Sequence, residues 1–131
     1  MTKDFPLLLP RDKHDIESAA ALTALGLEKA EPALPEILKS MQDLNWPVAT
    51  VFQPFLVDAG ASLAVYLKPL LSAEDNVWKY NLLVSIVRRS PPLAAALRTE
   101  LMRLASSPAL DEQDEGVTEE AMTILSAMGR D

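Results

Sequence analysis

His14 is the one histidine of the chain, and it stands among carboxylates at Asp12, Asp15 and Glu17. An imidazole beside acids can serve as a general base or as a metal ligand. Catalysis by a serine would also need the hydroxyl delivered on a shaped turn, and the chain holds no Gly-x-Ser-x-Gly elbow. Asp12, Asp15 and Glu17 open a helix, on which they point in different directions and do not converge with His14 on one ion. There is no cysteine, hence no thiolate nucleophile, no disulfide framework and no cysteine-based metal site. The four glycines, at 26, 60, 116 and 129, fall where helices end and cannot form a phosphate-cradling loop. The carboxylate pairs Asp114–Glu115 and Glu119–Glu120 lie in a polar, solvated stretch without the apolar surroundings that fit a carboxyl for general acid work. The expectation is no catalytic residue, no metal ligand and no cofactor.

A different chemistry, recognition through aromatic anchors, is suggested by a repeat. Asp43-Leu44-Asn45-Trp46-Pro47-Val48-Ala49 and Asp75-Asn76-Val77-Trp78-Lys79-Tyr80-Asn81 share one layout: an acid or amide able to cap a helix, a tryptophan, then an apolar run. The two tryptophans are 32 residues apart, and 32 residues before Trp46 stands His14, again beside a capping acid. By this spacing Asp12, His14, Asn45, Trp46, Trp78, Lys79 and Tyr80 form a candidate partner-binding edge, since buried aromatic anchors dominate interface energies. The plainer account is that each tryptophan fills a gap between helical hairpins while its indole N–H finds a carbonyl.

The elements that would carry this edge are helices. A constant period with helix starts near residues 13, 46 and 76 points to stacked antiparallel hairpins. Asp12 is expected to cap the first helix and Asp15 to add charge at its positive end; Gly26 ends it. A second helix runs through Leu34, Ile37, Leu38 and Met41, with Pro32 and Pro35 in its first turn. Asn45 is expected to cap a third helix with the stripe Val48, Val51, Phe52, Phe55, Leu56 and Ala59, bent at Pro54 and ended by Gly60. A fourth helix carries Leu63, Tyr66, Leu67, Leu70 and Leu71, with Pro69 as a kink or early stop. Asp75 caps a fifth, apolar nearly all round from Leu82 to Val87 and so covered on both sides. After Ser90-Pro91-Pro92 a sixth helix shows Leu93, Leu97, Leu101 and Leu104. Thr118 is expected to cap a closing helix with Ala121, Ile124, Leu125 and Met128.

These elements make one domain over 1–131: an extended leader at 1–11, with Phe5, Leu7, Leu8 and Leu9 covering the first hairpin, and an acidic mobile loop at 106–117. No apolar stretch reads as reaching the ~18–20 residues a membrane span needs, and no signal-peptide pattern is present, so a cytoplasmic location is expected. The net charge is −7, of which residues 111–131 hold −6. Lys79, Arg88, Arg89, Arg98 and Arg103 form the opposite patch. The simplest account packs one against the other; the sharper one turns a charged patch toward a partner. The acidic balance opposes binding to nucleic acid.

The segments Leu8 to Glu17, Gln42 to Ala49 and Trp78-Lys79-Tyr80 together resemble the bacterial family of domains of unknown function numbered 5071, a short HEAT-like helical domain. The resemblance implies an all-α fold, a HEAT-like stack of about three antiparallel hairpins plus a closing C-terminal helix, and carries no activity or cofactor with it. The expected function is a non-enzymatic protein-interaction module, immunity- or regulator-like, that binds another protein and neither nucleic acid nor membrane. The alternative is a small enzyme or accessory subunit with its site at the Asp12/His14/Asn45/Trp46/Trp78 edge.

Overall fold

The structure is a computed structural model that describes residues 9–128. Every element among them is helical, and no strand occurs among the described residues. The chain divides by packing into two compact units, residues 1–56 and 57–131. The leader residues Phe5, Leu7 and Leu8 lie outside the described residues.

In the first unit α1 spans Ile16–Ala24, α2 Leu27–Ala30 and α3 Leu34–Lys39, joined and followed by 3-10 turns at Glu31–Ala33 and Ser40–Gln42. The cap of α1 is Asp15 and not Asp12: Asp15 Oδ1 accepts the Ser18 N–H at 3.3 Å. Asp12 closes a tighter turn in front of it, accepting the His14 N–H at 2.8 Å. Gly26 closes α1 as expected, its N–H donating to the Thr23 carbonyl at 3.1 Å. The second run is three short pieces and not one helix, because Pro32 and Pro35 each lack the N–H that would continue the ladder. Its apolar stripe is nonetheless intact, with Leu34, Ile37, Leu38 and Met41 buried.

Helix α4, Pro47–Ala59, contains the division between the units. Proline stands at its first position, so Asn45 lies one residue too early to cap it. The Val48 N–H is satisfied by the Lys13 carbonyl, 3.1 Å away. Phe52 and Leu56 are fully buried and Pro54 faces out, where its missing donor is least costly.

Beyond α4, Gly60 takes a positive φ of 63°, open to glycine at little cost, and starts a 3-10 turn, Gly60–Leu63. Helix α5 follows over Ala64–Leu71 and ends two residues after Pro69. The whole helical run Pro47–Leu71 is 25 residues long and contains an 18-residue window with a mean hydropathy of 1.5, enough by length and composition to cross a membrane. That corrects the expectation of no such stretch: Asp58 is the one charge between Trp46 and Leu67, and the prolines and Gly60 had divided the run on paper.

Helix α6, Asn76–Ser85, is capped by Asp75, whose Oδ1 accepts the Trp78 N–H at 3.0 Å. Leu82, Leu83, Ile86 and Val87 are fully buried, as the apolar run predicts. The sixth helix is two, α7 Pro91–Ala96 and α8 Arg98–Ser106, broken at Leu97, yet Leu93, Leu97, Leu101 and Leu104 all stay inside. The segment 106–117 departs from its expectation: it contains α9, Leu110–Asp114, and is not an irregular loop. A left-handed Gly116 leads into α10, Val117–Met128, so Thr118 lies inside that helix and does not cap it. Helices α8 and α10 make the most extensive packing in this unit, and α6 also packs on α10.

Candidate functional site

The charged residues at the centre of the second unit are committed to one another. Lys79 and Glu112 are each 3% exposed. Lys79 Nζ donates to Glu112 Oε2 at 2.6 Å. Arg103 forks onto the same carboxylate, Nη2 to Oε2 at 2.9 Å and Nη1 to Oε1 at 3.2 Å. The Ala109 N–H reaches Glu112 Oε1 at 2.8 Å, so the glutamate also caps its own helix. Arg103 Nη2 extends further, to the Leu71 carbonyl at 3.2 Å, one of the acceptors left over at the end of α5.

Burial pushes the Glu112 carboxyl up, but the bonds from Arg103, Lys79 and the Ala109 amide outweigh it and hold it at about 2. The same bond from Glu112 raises the Arg103 guanidinium above its ordinary value. A carboxylate so saturated can neither take nor give a proton near neutrality. This cluster is a clasp that ties α9 to α6 and α8.

The clasp removes Lys79 from the candidate partner-binding edge, because its ammonium is interior. Sequence reading sets Lys79 and Arg103 against the acidic last segment but does not single out Glu112 as their buried partner, because no serine or threonine at position 109 advertises a capping box and Lys79 and Glu112 are 33 residues apart. Of the neighbouring candidates, Trp78 is half-buried and Tyr80 exposed. The Tyr80 ring lies against the α9–α10 turn, where a Cβ at Gly116 would stand 3.5 Å from its Cε1.

The other candidates belong to the first unit. His14 and Asn45 are exposed, and the Asn45 N–H donates to Asp43 Oδ1 at 2.9 Å. Asp12 and half-buried Trp46 share the wall of a cleft of about 290 Å³ with Pro10, Lys13, Glu36 and Lys39. Two helical segments and a turn build it: the approach to α1 supplies Asp12 and Lys13, α3 supplies Glu36 and Lys39, and the start of α4 supplies Trp46. Its rim alternates in charge, and Lys39 Nζ stands 3.4 Å from Glu36 Oε2. Beside it, the Arg11 N–H holds the Asp15 carboxyl down at about 2. Among the described residues no three His, Cys, Asp or Glu side chains are grouped to hold a metal ion.

A small all-helical protein with an internal charge clasp and an aromatic cleft is the class these features define. The chain belongs to the family described as Domain of unknown function (DUF5071), whose profile matches residues 8–125. No curated protein matches it.

Proposed function

We propose that this chain is a non-catalytic protein-interaction module, immunity- or regulator-like, that receives a side chain of a partner protein in the Trp46 cleft. The observation that carries this reading is the cleft itself. At about 290 Å³ it stands at the lower limit of pockets that enclose small molecules, and it offers an aromatic wall with a rim of both charges. That is the form of an anchor pocket at an interface, where one buried side chain carries much of the energy and the rim excludes water.

On this reading the module works in the cytoplasm on a protein, since a net charge of −7 disfavours nucleic acid. Its helices pair as HEAT-like antiparallel hairpins with a closing helix; the starts at Ile16, Pro47 and Asn76, against 13, 46 and 76 from the 32-residue spacing, support this. Inter-helix proton contacts measured by NMR would test the pairing.

Capture from an extract of the native host, with wild-type, Trp46→Ala and Lys13→Glu proteins as bait, tests the function. The expected result is a stoichiometric protein partner whose affinity falls about tenfold or more in Trp46→Ala, the helical content being retained. A partner that binds both variants as tightly as the wild type places recognition elsewhere and overturns the assignment.

A further inference from the structure

A second and larger cleft, about 800 Å³, runs along α10 in the unit formed by residues 57–131. Pro91 stands on one side above the buried Val87 and Ala94, and α10 forms the other side with Met122, Thr123, Ser126, Ala127 and Met128 over the buried Ile124. The charged side chain in this wall is Arg88. A cleft of several hundred Å³ that mixes apolar side chains with a few polar ones is a common form of small-molecule site, and here Thr123 and Ser126 supply hydroxyls beside the methionines. Methionine walls suit a flexible chain, because the thioether side chains adapt their shape to it.

The state of Arg88 indicates the polar end of such a ligand. Its side chain is 57% exposed, and its Nη1 stands 3.6 Å from Glu120 Oε2. That distance is a charge contact and not a hydrogen bond, and Glu120 Oε2, though buried, accepts none. Glu120 therefore holds the guanidinium beside the cleft by attraction while leaving its planar fork of donors uncommitted to that oxygen. Carboxylates match this fork in a bidentate manner.

We propose that the α10 cleft binds an amphipathic carboxylate, a medium- or long-chain carboxylic acid. Its chain lies between Pro91 and the α10 face, where Met122, Ala127 and Met128 offer apolar contact, and its carboxylate takes the Arg88 fork. The site is separate from the Trp46 cleft and does not depend on the function assigned to it. Because Glu120 repels the incoming carboxylate, it tunes affinity downward while it positions Arg88.

Calorimetric titration of the full-length protein with dodecanoate, dodecylammonium and dodecanol, all below micelle formation, tests this. The expected result is saturable binding of one dodecanoate per chain, with the amine and the alcohol about tenfold weaker or worse. Arg88→Gln, at an exposed position, should weaken dodecanoate about tenfold or more. Glu120→Gln should strengthen it, because a like charge is removed. Ala127→Trp, an exposed wall position, should block it, and Trp46→Ala should leave it unchanged. Equal binding of the three probes, indifference to Arg88→Gln, weakening by Glu120→Gln, or no saturable binding of dodecanoate overturns the proposal. The comparison among probes on the wild-type protein holds even if a variant fails to fold.

Discussion

Glu112 shows how a residue that looks like surface in the sequence becomes interior. Taking a carboxylate out of water costs several kcal/mol, and four donors offset it: Lys79 Nζ, both terminal nitrogens of Arg103 and the Ala109 amide. Folding lowers its pKa from 4.5 to about 2. The group therefore adds stability that is fully present above the unfolded value and is lost as pH falls toward the folded one. The shift corresponds to about 3 kcal/mol at neutral pH. Glu112→Gln leaves the Lys79 ammonium buried without a counter-ion, so we expect a loss of about 3–5 kcal/mol. Urea unfolding of both proteins should show that gap shrinking as pH drops from 4.5 toward 2. Asp15 titrates in the same window, which is why the difference between the two proteins, and not the wild-type curve, is the measurement. A gap that stays constant through that window would remove the charge from the account.

Among the elements, the helix starts separate what local chemistry settles from what it does not. Asp75 lies one residue before α6 and accepts from the amide three residues on, as its type and position predict. Asn45 has the right chemistry but not the right place, because Pro47 at the first position of α4 shifts the start by one residue. Asp75→Ala should cost ~0.5–2 kcal/mol, whereas Asn45→Ala should stay within about 0.5 kcal/mol, as at ordinary surface positions. Chemical denaturation of the two variants checks the order; a costlier Asn45 variant would mean that its side chain supports α4 in some other way. Helix α9 was illegible for a related reason. Its cap comes from inside the helix, from a glutamate whose inward orientation is set by Lys79 and Arg103 and not by its neighbours in sequence.

For the whole molecule, the expectation that the acidic last segment packs beside the basic third run is met by two pairs of different kinds. Arg103–Glu112 belongs to the buried clasp, and Arg88–Glu120 is a loose pair with an exposed arginine. Salt distinguishes them, since mobile ions screen exposed charges and reach buried ones far less. Raising the ionic strength from ~0.01 to ~1 M should leave the cost of Glu112→Gln nearly unchanged. The same change should erase whatever Arg88→Gln costs, itself no more than about 1 kcal/mol. Equal salt sensitivity of the two would mean that water reaches the clasp. The exposed acids Asp111, Asp114, Glu115 and Glu119 keep their charge toward solvent, and their like-charge repulsion should also ease with salt.

The helical class, the buried stripes of Leu34, Ile37 and Leu38 and of Leu93, Leu97 and Leu101, and the cap at Asp75 were determined by sequence alone. Each depends on residues within a turn or two of one another, where spacing and side-chain type decide the outcome. The fate of the charges was decided by tertiary structure. Lys79 reads as part of an exposed edge until Glu112, 33 residues on, is brought to 2.6 Å from it. The Trp46 cleft likewise exists only because the approach to α1, a face of α3 and the start of α4 meet. Burial of a charge is a property of its surroundings, and those surroundings come from parts of the chain that no local pattern connects.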